Sequence, residues 1–62
     1  MNKEEMKKIY LNQIKNMNIQ QSLEHINELI FNIDMIDVWD EKDKICYEIL
    51  CEIKRQLQKG VK

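Results

Sequence analysis

Laid on a helix at about 100° per residue, the apolar positions of this chain form blocks that point in different directions. Met6, Ile9, Tyr10 and Met17 gather on one side, with Ile14 nearby. Ile19, Leu23, Ile26, Ile30 and Ile33 gather on the opposite side. A single straight helix packed on one core cannot carry a stripe that changes sides near residue 18. Either the chain breaks there or its two halves face different partners. A break has local support, because Asn18 followed by Gln21 has the spacing of a capping box. A third block, Ile45, Cys46, Ile49, Leu50, Ile53 and Leu57, forms one compact stripe, with Tyr47 and Cys51 beside it. Cys46 is thus expected in the core and Cys51 nearer the surface. Asp40 suits the N-cap of this last helix, with Glu41 and Asp43 in its first turn, Lys54, Arg55 and Lys59 near its end and Gly60 just past it.

The pattern predicts an all-α fold, a small three-helix unit with helices at about 3–16, 19–36 and 40–59 in a single domain spanning 1–62. The alternative is a two-helix hairpin that dimerises into a four-helix bundle, its long first helix using both faces. No proline and only one glycine interrupt the 62 residues, so helix is the default throughout.

Length changes the picture. A chain this short buries only about 60% of its unfolded surface, and such a core rarely supplies more than about 3–5 kcal/mol. The usual supports are disulfides, metals or partners. Cys46 and Cys51 are five apart, which on a helix turns their thiols away from one another, so they cannot bridge within one chain. His25 has no cysteine or second histidine near it in sequence, which argues against a zinc site. Self-association is the remaining support, and a homo-oligomer, a dimer first, is expected.

Charge is segregated. Residues 1–18 carry four Lys against two Glu, residues 19–43 one Lys against seven acids, and residues 44–62 five basic residues against two Glu. The acidic middle and basic ends invite contact with other copies or with a foreign partner. Isoleucine, lysine and asparagine make up 25 of the 62 residues. Their AT-rich codons point to a low-GC genome, or to a phage or other mobile element within one. No apolar run reaches membrane-spanning length, and unpaired cysteines without an export signal fit a cytoplasmic protein.

Chemistry is sparse. Ser22 and His25 read as surface neighbours on one helix rather than as a catalytic pair. The aspartates at 34, 37, 40 and 43 step by three, so on a helix they spread over about half the circumference and cannot converge on one ion. No enzyme activity, metal, cofactor or small-molecule substrate is expected. Two surfaces remain. Trp39 belongs to the corner before the last helix, while Phe31 and Met35 face away from the Ile26/Ile30/Ile33 stripe. Together with Asp34, Asp37 and Glu41 they make an apolar patch rimmed by acids, suited to a basic protein partner. The second surface, Lys7, Lys8, Tyr10 and Lys15, suits RNA or DNA, although arginine, the best phosphate ligand, occurs only once.

The opening MNKEE and the run LEHINEL at 23–29 look like the Rop family of plasmid copy-number proteins. Membership would imply a dimeric helical hairpin that binds paired RNA loops through an exposed first-helix face. On that face Lys3 is kept and His25 is basic in kind, but Ile14 stands where the family has an aromatic. Ile30, Phe31, Ile33 and Met35 occupy the place of its turn. The function expected is therefore a regulator or inhibitor that acts by binding a protein, with a dimeric RNA- or DNA-binding regulator as the alternative.

Overall fold

The computed structural model describes residues 2–60 as three helices: α1 (Lys3–Gln13), α2 (Ile19–Asp34) and α3 (Glu41–Gln58). The chain breaks where the apolar stripe changes sides. At the end of α1 the ladder tightens, with Lys15 N–H donating to Asn12 O and Met17 N–H to Ile14 O, and α1 stops three residues earlier than the pattern predicts. Asn18 then restarts the helix: its side chain accepts from Gln21 N–H at 2.8 Å, and Gln21 Oε1 accepts from Asn18 N–H at 3.3 Å. This capping box satisfies two of the amides a helix start leaves open.

The third helix receives the other two. At about 1.5 Å per residue its 18 residues span roughly 27 Å, most of the molecule's 32 Å long axis. Both α1 and α2 pack on it, which explains why α3 supplies five of the eight buried apolar side chains: Cys46, Ile49, Leu50, Ile53 and Leu57. The remainder are Met6 and Ile14 from the α1 segment and Ile26 from α2. Lys3 lies 3.5 Å from Glu52 and 3.7 Å from Glu48, and Lys7 lies 3.8 Å from Glu52, so solvent-exposed ion pairs edge the α1–α3 seam. Each contributes little in water; apolar burial does most of the holding. Gly60 closes α3 at φ +80°, its N–H donating to Leu57 O at 2.9 Å, as a glycine just beyond a helix end commonly does.

Three positions depart from the periodic reading. Ile9 is 42% exposed while Ile14, at the very end of α1, is 1% exposed; the buried face of α1 is rotated toward Tyr10 and Ile14. Ile19, at the first position of α2, is 40% exposed. Ser22 is fully buried instead of lying on the surface. It sits on the core face of α2 one turn before Ile26, where a small side chain permits close packing, and its Oγ has no hydrogen-bond partner. A buried hydroxyl left unsatisfied costs about 1–3 kcal/mol, and serine is a poorer helix former than alanine. Ser22→Ala is expected to raise stability by about 1 kcal/mol, read as a higher urea midpoint at unchanged slope. A lower midpoint would mean that the hydroxyl is satisfied in solution.

Candidate functional site

The corner between α2 and α3 is built from its aspartates and its tryptophan. Met35 ends α2, its N–H donating to Phe31 O at 3.1 Å, and Ile36 N–H donates to Ile33 O at 3.0 Å. The same Ile33 carbonyl accepts the indole N–H of Trp39 at 2.9 Å. Trp39 thereby ties the bend to the C-terminal end of α2, adding a side-chain donor to a carbonyl in its last turn. Its half-buried ring lies against Tyr47 with centroids 4.9 Å apart and planes tilted by 42°. Asp40 caps α3, accepting from Asp43 N–H at 2.8 Å, while Asp43 Oδ2 accepts from Asp40 N–H at 3.2 Å. Two of the four evenly spaced aspartates are thus engaged by each other's backbone.

The remaining residues of the expected patch divide. Phe31 and Met35 are 61% and 68% exposed on the face of α2 opposite its core contacts. Val38 in the bend is 84% exposed and Ile36 40% exposed; neither was expected in the patch, and Ile36 lies beyond the end of α2. Asp34 is exposed in the last turn of α2, and its carboxylate is the first cause holding the Tyr47 phenol above its ordinary value, followed by Cys51 and burial. Asp37 is exposed in the bend, and Glu41 is exposed in the first turn of α3. The more direct acidic neighbours are Glu24 and Glu28. At seven and three residues before Phe31 they share its face, and both are exposed. Their spacing from Phe31 was the signal that would have found them. The result is one line along the outer face of α2, two glutamates followed by two large apolar side chains.

The alternative basic surface is not drawn together in the same way. Lys7 reaches toward Glu52, and Tyr10 is half-buried against the core, whereas Lys8 and Lys15 are exposed. Burial, followed by the Cys46 thiol beside it, pushes the Tyr10 phenol up to about 12. Both phenols therefore ionise above the ordinary 10.0. Between about 10 and 12 the unfolded Tyr10 has lost its proton while the folded one keeps it. Its contribution to stability is full below about pH 10 and disappears as the pH rises through about 12. Absorbance at 295 nm is expected to show neither tyrosine titrating at 10, and Asp34→Asn to lower one midpoint, that of Tyr47. An unchanged titration in Asp34→Asn would remove Asp34 from the neighbourhood of that phenol.

Ser22 and His25 form no reactive pair. The serine is in the core, and half-buried His25, in the tautomer protonated at Nε2, donates to Gln13 Oε1 at 2.9 Å, linking α2 to α1. Cys46 is buried, Cys51 is half-buried, and both thiols are free. Among the described residues no group of three His, Cys, Asp or Glu side chains is placed to hold a metal ion, and no helix is long and apolar enough to cross a membrane. Comparison with protein-family models, with curated proteins and with solved structures gives no match. The Rop-like hairpin implied by MNKEE and LEHINEL does not describe the chain, which turns at 14–18 and places a third helix against the first two.

Proposed function

We propose that the protein is a small non-enzymatic interaction module that binds another protein and regulates or inhibits it by occlusion, through the outer face of α2. One observation carries this reading. Phe31 and Met35, one turn apart on the outer face of α2, stand in solvent although the core gains nothing from them, and Val38 in the following bend is exposed as well. Contiguous exposed apolar residues rimmed by polar ones are a common composition of protein-binding sites. Self-association, with a dimer favoured, is the competing cover for the same face. A low-GC or mobile-element origin, a phage included, and a cytoplasmic setting fit the Ile-, Lys- and Asn-rich composition and the free cysteines.

The test is affinity capture of the tagged protein from lysate of its source organism, with and without nuclease, read by mass spectrometry and by gel. The reading expects a stoichiometric protein that survives nuclease and is lost with Phe31→Ser. Recovery of RNA or DNA, with any protein released by nuclease, would transfer the function to Lys7, Lys8, Tyr10 and Lys15.

A further inference from the structure

We infer that α2 is the inserted element of the complex: Phe31 and Met35 enter an apolar groove on the partner, and that groove is flanked by lysine or arginine side chains. This rests on the reading above and names the chemistry of the partner. The shape of the face is the first argument. A side chain within a groove is shaded by walls on both sides, whereas exposures of 61% for Phe31, 68% for Met35 and 84% for Val38 belong to groups standing out from the surface. Clefts among the described residues open elsewhere, for example along Leu11 to Lys15 and between Met6, Tyr10 and Cys46. Phe31 and the C-cap residue Met35, four apart on the outer face of α2, have the anchor spacing with which amphipathic helices fill grooves. Here the protein carries the anchors and the partner must carry the groove.

Charge is the second argument. From Ile19 to Glu41 the chain has no lysine or arginine. The ion pairs among the described residues all join α1 to α3 and engage Glu48 and Glu52. Glu24 and Glu28 therefore extend the anchor line as carboxylates that no Lys or Arg among the described residues pairs. Pressing that face against an acidic or uncharged rim would repel or desolvate those carboxylates without return; a cationic rim pairs them and speeds encounter.

The experiment uses the full chain with p-benzoylphenylalanine at position 35, irradiated in lysate of the source organism, with the cross-linked residues mapped by mass spectrometry. The inference expects an adduct at apolar residues of one protein, with Lys or Arg on either side of the attachment point in its folded structure. Phe31→Ser in the same background is expected to reduce the adduct at least tenfold. Glu24→Lys with Glu28→Lys is expected to reduce it roughly tenfold in 50 mM salt and much less in 500 mM, where the field is screened. Circular dichroism is expected to be unchanged in both, because all three side chains are exposed. An adduct on a protein surface that is flat or acid-rimmed overturns the inference and leaves the interaction module standing. An adduct to a second copy of this chain, to nucleic acid, or to nothing overturns both.

Discussion

Leu50→Ala is expected to leave the chain mostly unfolded at 25 °C. Leu50 is completely buried, as are Ile49 and Ile26, in a core of eight apolar side chains among the described residues. Removing a buried leucine side chain down to its β-carbon costs about 2–5 kcal/mol, the lost transfer energy plus the cavity left behind. A domain of this size has about 3–5 kcal/mol in total, so the loss matches the whole reserve. Neighbouring groups have little means to collapse into the gap, because α3 is the helix on which both others rest. The 222 nm ellipticity should fall toward that of a coil with no cooperative melt. Leu50→Met, nearly equal in volume, should cost less than about 1.5 kcal/mol and keep the fold. A sharp thermal transition in Leu50→Ala only a few degrees below the parent would show that stability comes from elsewhere, a second subunit first.

Phe31→Ser should do the reverse, leaving the fold intact and removing partner binding. Its ring is 61% exposed, so little of its area is withdrawn from water on folding, and the thermal midpoint should move by only a few degrees. Buried aromatic anchors at interfaces cost about 2 kcal/mol or more when truncated, a loss of about thirtyfold in affinity. Affinity and melting measured on the same sample decide the matter. If both fall together, Phe31 supports the fold or a subunit contact. If neither moves, the outer face of α2 is inert and the proposed function fails with it. Val38→Ser, in the bend that follows α2, should follow the same course with a smaller loss.

How much of this was legible depended on which force set each feature. Local hydrogen bonding was readable: Asn18 with Gln21, Asp40 at the cap of α3 and Gly60 beyond its end all occupy the places their side chains or backbone freedom require. The apolar stripe of α3 was readable because five of its residues are buried in one register. In α1, an 11-residue helix with few apolar positions, the stripe was too short to fix its rotation: Ile9, within the stripe, is exposed, and Ile14, at its edge, is buried. Ser22 is polar by type yet stands one turn before Ile26, and that position, not its chemistry, puts it on the buried side of α2. Nothing periodic states which helix receives the other two, or that Asp34 would lie beside Tyr47; those follow from packing between segments distant in sequence. Phe31 and Met35 were legible as outward-facing because a helix has only one core side. Glu24 and Glu28 share that side with them and needed only the same count.

The central place of α3 has a kinetic consequence. A bend of only six residues, 35–40, joins α2 to α3, so their pairing closes a short loop at small entropic cost, and Trp39 clasps the bend. The first helix must join from farther along the chain, at Met6 and Ile14, with ion pairs at its seam that water weakens. The α2–α3 pair is then expected to form first and to exchange its amide hydrogens last, with α1 docking late and lifting off first. Its departure would bare Cys46 and the Tyr10 phenol yet leave the outer face of α2, on the far side of the hairpin, in its folded form.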